Sequence, residues 1–164
     1  MSNGLIKQLS QHYRLQLQDY RRLALQTKEL LAAVQNSTAG SGEQLLLLLA
    51  ERQKLLDAIE ERQKNSLPLW SALQEKLGFQ PQAEELPRLF PTAEAKAVAA
   101  AHGEIQRLLQ QILANDELIR SGLADARAQL QQELQTMQRR RQAARSYSSS
   151  PAQNTGIFLD QKKS

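Results

Sequence analysis

From Thr92 to about Arg145 the chain contains no proline, and apolar residues recur at spacings of three and four. This spacing places the apolar residues on one side of an α-helix, in which about 3.6 residues complete a turn. At about 1.5 Å per residue such a helix would be about 75 to 80 Å long, against roughly 45 Å for the first helix. The stripe comprises Ile105, Leu109, Ile112, Ile119, Leu123, Ala126, Leu130, Leu134 and Met137.

Two helices are predicted upstream of this long helix. The first runs from about Leu5 to Gln35, with apolar residues again at spacings of three and four, and it ends at a cluster of Asn, Ser, Thr and Gly over residues 36–42. The second begins at Ser41, which has capping-box spacing to a glutamine three residues later. It is predicted to stop at about Lys64, because polar residues and a proline follow over residues 65–68.

A shorter helix and a loop are predicted before the long helix. The short helix runs from about Leu67 to Leu77, since proline is tolerated in a first turn, and it stops at Gly78. Three prolines over residues 81–91 prevent any long helix and define the main loop. Thr92 then caps the long helix, with Glu94 in the first turn, where a negative charge meets the positive end of the helix dipole.

The composition favours an all-α fold and excludes several kinds of site. The chain of 164 residues has 29 Leu, 23 Gln and 21 Ala against two Val and seven aromatic residues, so helix formers far outnumber strand formers. Without cysteine there is no disulfide, and two isolated histidines cannot supply a zinc site, so we expect no metal and no cofactor. We predict an elongated antiparallel helical hairpin or bundle of about three long helices plus one short helix. A helical domain over residues 1–145 would precede a flexible C-terminal tail over residues 146–164.

Neither a membrane segment nor a catalytic constellation is expected. The most apolar run, Leu45–Ala50, has six residues where a membrane span needs roughly 20, and no signal sequence opens the chain, so we expect a soluble cytoplasmic protein. The glycines within residues 40–42 lack the lysine of a phosphate-binding loop, and neighbouring carboxylates such as Glu60 and Glu61 diverge on a helix. His102 is expected to be an ordinary solvated helix residue. We therefore expect that the protein is not an enzyme.

Charged residues interrupt or end the long helix at two places. Asp116 stands where the period requires an apolar residue. Either it pairs with a cation on a neighbouring helix, such as Arg14, Arg21 or Arg22, or the stripe is locally open to water, which is the interpretation we favour. Arginines cluster over residues 139–145 and invite a nucleic-acid interpretation. Because cations are favoured at the C-terminal end of a helix and no aromatic residue is interleaved, we expect no nucleic-acid binding.

The end of the long helix and the tail are the strongest candidates for a function. If the first two helices pack against the N-terminal half of the long helix, the stripe near Leu130, Leu134 and Met137 lacks an internal partner, and exposed apolar surface of this kind usually marks a binding site. Homodimerisation could cover it instead. In the tail, three consecutive apolar residues, Ile157, Phe158 and Leu159, predict a short segment that folds either onto its own chain or onto a partner.

The order and spacing of these features resemble those of the FlgN-type flagellar export chaperones, which are all-helical cytoplasmic proteins of about this size. The leucine-rich segment 43–60 resembles the second helix of that family. The segment 112–123, in which Asn115 precedes an apolar pair, resembles a stretch of its later helix, and Tyr147 with the downstream Gly156 resembles its tail. The Ser-rich spacer in this tail is longer than the compact turn of many members.

The resemblance implies a type III secretion chaperone of the bacterial flagellum. Such a chaperone binds the C-terminal helical segments of the hook-filament junction proteins FlgK and FlgL, keeps them unassembled and delivers them to the export gate protein FlhA. The alternatives are a FliT-like export chaperone for the filament cap and a structural coiled-coil homodimer without cargo. Tyr147 is the candidate contact with the export gate, and the candidate cargo-binding residues are Leu123, Leu130, Leu134, Met137, Ile157, Phe158 and Leu159.

Overall fold

The computed structural model describes residues 2–36 and 42–148. In this part of the chain there is no strand, so the all-α prediction is confirmed. None of the helices described is both long and apolar enough to cross a membrane. The α-helices are α1 (Ser2–Gln35), α2 (Gly42–Leu77), α3 (Leu86–Leu89) and α4 (Ala93–Ser148), and a 3-10 turn at Ala83–Glu85 precedes α3.

The chain divides into two compact units, Met1–Gly122 and Leu123–Ser164. In the first unit, α1, α2, α3 and the part of α4 up to Gly122 contribute to one apolar core. Burial of a large aliphatic side chain contributes about 1.5–3 kcal/mol relative to leaving it exposed, so this core accounts for the packing of the first unit. Its most deeply buried side chains include Ile6, Leu9, Leu73, Leu86 and Val98.

Two polar contacts set the antiparallel register of α1 against α2. Arg62 Nε donates to Asp19 Oδ2 at 2.6 Å, and Gln63 Nε2 donates to the hydroxyl of Tyr20 at 2.8 Å. Asp19 is a buried residue. Because a buried carboxylate without its cation is costly, a shift of one helix along the other would be strongly disfavoured.

The second helix is longer than predicted. The expected stop at about Lys64 and the separate short helix from Leu67 are both wrong, because α2 continues without a break through Pro68 to Leu77. The expected end at Gly78 is confirmed: this glycine has a φ of 77°, in the left-handed region that ends helices.

Packing on both sides of Pro68 explains why the helix persists there. Proline inside a helix removes one hydrogen bond and costs about 3 kcal/mol. Ile59 before the proline and Leu73 after it are both buried in the same core, and their combined burial, at about 3–6 kcal/mol, is as large as that cost or larger. Ser66 is also buried, and its hydroxyl donates to the carbonyl of Gln63 at 2.7 Å, so this polar side chain is satisfied within the helix.

The start of α4 follows the predicted cap. The backbone N–H of Ala95 donates to Thr92 Oγ1 at 3.2 Å, which satisfies one of the free donors at the helix start. Glu94 lies in the first turn, as expected. The predicted cap at Ser41 lies outside the described residues.

Candidate functional site

The apolar stripe predicted for the long helix is buried in the first unit and exposed in the second. In the first unit, Ile112 and Ile119 are buried in the interior. In the second unit, Leu130, Leu134 and Met137 are 57%, 51% and 53% exposed. These three side chains are therefore not covered by any residue that the structure describes.

We call Leu123, Leu130, Leu134 and Met137 the exposed stripe. Leu123 is half-buried, and the other three members follow one another at spacings of four and three along α4. Residues at these spacings are neighbours on the helix surface, so their side chains form one continuous apolar strip. Contiguous apolar surface of this kind usually marks a place where a partner binds.

Arginines lie immediately beside this apolar strip. Arg127 is three residues before Leu130, and Arg140 and Arg141 are three and four residues after Met137, so each is a surface neighbour of the stripe. All three are exposed and, among the described residues, none of them forms an ion pair. The border of the stripe is therefore positively charged.

A single acidic residue interrupts this positive border. Glu133 is three residues after Leu130 and four before Met137. It lies in an open groove along the helix, together with Arg140, Met137 and three polar side chains that carry no charge. The groove is lined by Gln129, Gln132, Glu133, Thr136, Met137 and Arg140.

The remaining predicted site residues lie at the end of the chain. α4 includes Tyr147, but the side chain of this tyrosine lies outside the described residues. Ile157, Phe158 and Leu159 also lie outside them. The roles predicted for these four residues stay predictions.

Asp116 is paired with a cation that the sequence did not indicate. Arg52 Nη2 lies 2.6 Å from Asp116 Oδ1, and both side chains are mostly buried. The expectation that the stripe is open to water at this position is wrong. The alternative, pairing with a cation on a neighbouring helix, is correct in kind, but the cation is Arg52 and none of the three arginines named as examples; Arg21 instead contacts Glu104 at 2.8 Å. Partner choice depends on how α2 packs against α4, which helical periodicity alone does not specify.

His102 is not the solvated residue that we expected. Its ring centroid lies 6.2 Å from that of Tyr13, which in turn packs edge-on against Trp70 at 6.2 Å. His102 Nε2 also lies 3.7 Å from Glu84 Oε1, in the segment between α2 and α4. These contacts show a packing role, in which His102 joins that segment to the core.

Two tyrosines of the core have shifted acidities. Burial raises the pKa of Tyr13 above its ordinary value of 10.0, and a hydrogen bond with Trp70 opposes the shift. Burial likewise raises the pKa of Tyr20, opposed by its hydrogen bond with Gln63. Both shifts favour the neutral hydroxyl, so neither tyrosine is activated as a base or nucleophile.

Exposed leucines in the first unit are a feature that sequence reasoning missed. Leu46 and Leu47 of α2 and Leu113 and Leu118 of α4 are all exposed. A signal was present, because five consecutive leucines over residues 45–49 surround more than one helical turn and cannot all face the core.

Among the described residues, no group of three or more acidic, histidine or cysteine side chains is placed to hold a metal ion.

Comparisons with protein-family models, with curated proteins and with solved structures find no match to this chain. The exposed stripe is an apolar strip on a preformed helix, bordered by arginines, and it is suited to binding a second helix.

Proposed function

We propose that this protein is a cytoplasmic export chaperone of the FlgN type. In this role it binds the C-terminal helical segments of FlgK and FlgL, prevents their premature assembly and delivers them to the export gate protein FlhA. The observation that carries the proposal is the exposure of Leu130, Leu134 and Met137 on one side of α4. An amphipathic helix can lay its own apolar residues against such a strip.

The size of the exposed stripe fits a reversible complex. Each of its three most exposed side chains is about half exposed, so covering them would contribute roughly 1 kcal/mol apiece at about 1.5–3 kcal/mol for full burial. Burial of the partner's apolar residues adds a comparable amount. The loss of translational and rotational freedom on association opposes both contributions. A complex of moderate affinity is what a chaperone needs if it is to release its cargo at the export gate.

The helical state of the stripe lowers the entropic cost of binding. Residues 123–148 are described as part of α4, so this side of the interface is already ordered before a partner arrives. Only the incoming segment then loses backbone freedom on binding. In the proposed complex, Ile157, Phe158 and Leu159 add apolar anchors, and Tyr147 contacts the export gate.

The proposal is tested by calorimetry with purified C-terminal segments of FlgK and FlgL. The double variant Leu130→Asp with Leu134→Asp should lose most of the affinity, because two carboxylates would be buried in the interface. The matched control is Leu113→Asp with Leu118→Asp, which changes two other exposed leucines of α4. This control should bind as the unmodified protein does.

Circular dichroism separates a lost binding site from a lost fold. Both double variants should retain the helical signal of the unmodified protein, since all four leucines are exposed. Unchanged binding by the Leu130 and Leu134 variant would contradict the proposed site. A segment of the filament-cap protein that binds in place of FlgK and FlgL would favour the FliT-like alternative.

A coiled-coil homodimer is the second candidate, because two copies of the exposed stripe could cover each other. Such a dimer would melt at a temperature that rises with protein concentration. Sedimentation equilibrium would detect it directly. A dimer that dissociates in the Leu130 and Leu134 variant, and that binds neither junction segment, would replace the chaperone proposal.

A further inference from the structure

We infer that the exposed stripe selects a helical partner segment whose apolar residues are flanked by aspartate and glutamate. The inference rests on the proposed function, and it names the chemistry of the partner for the same surface. It is carried by the charges beside the stripe. Arg127, Arg140 and Arg141 border it, against the single Glu133.

The positions of these charges determine which partner they favour. When two helices pack along apolar strips, the residues beside each strip lie next to those beside the other. A partner with carboxylates at these places would form ion pairs with the three arginines. A partner with lysine or arginine there would meet like charges, which disfavour the pairing.

A second copy of this chain does not supply the required charges. Its own stripe would bring Arg127, Arg140 and Arg141 with only Glu133, so two positive charges on each copy would remain unbalanced. The residues after Ser148 do not supply them either. They contain one acidic residue, Asp160, and two lysines.

A nucleic acid fits this surface less well than an acidic helix does. Single strands bind through aromatic side chains on which bases stack, and residues 123–146 contain no aromatic residue. The apolar members of the stripe are aliphatic and thioether side chains. They offer burial to another apolar strip rather than a platform for a base.

Arg139 provides a matched control for Arg141. Arg141 is four residues after Met137 and lies beside the stripe, whereas Arg139 is two residues after Met137 and faces away from it. Both arginines are exposed, and both lie near the same end of α4. Arg141→Glu and Arg139→Glu therefore change the net charge equally, and only the first changes the border of the stripe.

The test uses the full chain and three synthetic amphipathic peptides with the same leucine strip. The flanking positions carry Glu in the first peptide, Gln in the second and Lys in the third, and fluorescence anisotropy gives each Kd. We expect the Glu peptide to bind roughly tenfold or more tightly than the Lys peptide, as the product of a few-fold for each of three exposed ion pairs. The preference should shrink as salt rises.

The variants make the prediction specific. Arg141→Glu should reduce the ratio of the Kd of the Lys peptide to the Kd of the Glu peptide about two- to fivefold. Arg139→Glu should leave this ratio nearly unchanged. Equal affinity for the Glu and Lys peptides would overturn the inference, as would equal effects of the two variants. A nucleic-acid partner would give a different result. A single-stranded oligonucleotide would displace the Glu peptide, would bind the Arg141→Glu variant more weakly, and would still bind the double variant Leu130→Asp with Leu134→Asp; this outcome would overturn the inference.

The same measurements separate this inference from the flagellar assignment. If the Glu peptide is preferred and Arg141→Glu weakens the preference, but no junction segment binds, only the flagellar assignment fails. If the FlgK segment binds at the stripe, Arg141→Glu does not change its affinity, and the three peptides bind with equal affinity, only the present inference fails. If the protein instead forms a dimer that the double variant Leu130→Asp with Leu134→Asp abolishes, and it binds none of the peptides, both the flagellar assignment and the present inference fail.

Discussion

Replacing Gly122 by alanine should destabilise the first unit, although alanine is the better helix former. A Cβ built on Gly122 would lie 2.5 Å from Val34 Cγ1, whereas carbon atoms in contact prefer separations of about 3.5–4.0 Å. Val34 is buried and β-branched, so its methyl group cannot rotate freely away. The missing side chain of Gly122 is thus what allows α1 and α4 to approach here.

The expected magnitude follows from two opposing effects. Alanine gains about 0.8–1.0 kcal/mol over glycine in a helix interior. Forcing a methyl group into a packed site costs about 1–3 kcal/mol. The net effect of Gly122→Ala should be a loss of up to about 2 kcal/mol in the free energy of unfolding.

Gly103 gives the same substitution without the clash. It lies in the same helix, and no neighbouring atom lies within 4 Å of a Cβ built on it. Gly103→Ala should therefore raise the free energy of unfolding by up to about 1 kcal/mol. The same substitution, glycine to alanine in α4, should therefore lower the free energy of unfolding at position 122 and raise it at position 103.

Urea denaturation followed by the fluorescence of Trp70, the single tryptophan, measures both effects in the first unit. A double-mutant cycle with Val34→Ala identifies the cause, because this change removes the methyl group that would clash. In the Val34→Ala background, Gly122→Ala should become stabilising. Equal stabilisation by Gly122→Ala and Gly103→Ala, or a penalty of Gly122→Ala that persists in the Val34→Ala background, would refute the proposed clash.

Three further predictions concern the cap, a buried tyrosine and the tail. Thr92→Ala should lower the free energy of unfolding by about 1 kcal/mol in the same assay, because the Ala95 N–H loses its acceptor, and Thr92→Ser should retain most of the stability. Burial raises the pKa of Tyr20 above its ordinary value of 10.0, so folding favours the neutral hydroxyl. This contribution to stability is fully present below pH 10.0 and is lost as the pH rises through the folded-state pKa. Tyr20→Phe should therefore flatten the alkaline loss of stability, and an identical pH profile in denaturation experiments would argue against this origin. A chain cut after Arg145 should stay helical by circular dichroism but lose most of its affinity for the FlgK segment; unchanged calorimetric affinity would contradict the role of the tail.

Local signals in the sequence were sufficient to predict much of the fold. The cap at Thr92 and the stop at Gly78 depend on the backbone chemistry of a few adjacent residues, and both occur as predicted. The stripe of α4 was also predictable, because it follows from a period of about 3.6 residues. The same period places Leu130, Leu134 and Met137 on this stripe, and all three are exposed.

The features that were missed depend on contacts between distant segments. The local sequence around Pro68 favours a break, but the burial of Ile59 and Leu73 keeps the helix intact. The pairing of Asp116 with Arg52 requires the register of α2 against α4. Periodicity predicts which face of a helix is buried, but it does not predict which residue of another helix lies opposite.

Photocrosslinking from the exposed stripe tests the central claim most directly, namely that this surface receives the cargo helix. A benzoylphenylalanine placed at Leu134 is compared with one at Leu118, because these leucines lie on the same helix and are 51% and 54% exposed. With the FlgK C-terminal segment bound, we predict a crosslink from position 134 and none from position 118. Equal crosslinking from both positions, or binding of the segment without a crosslink from position 134, would contradict the account.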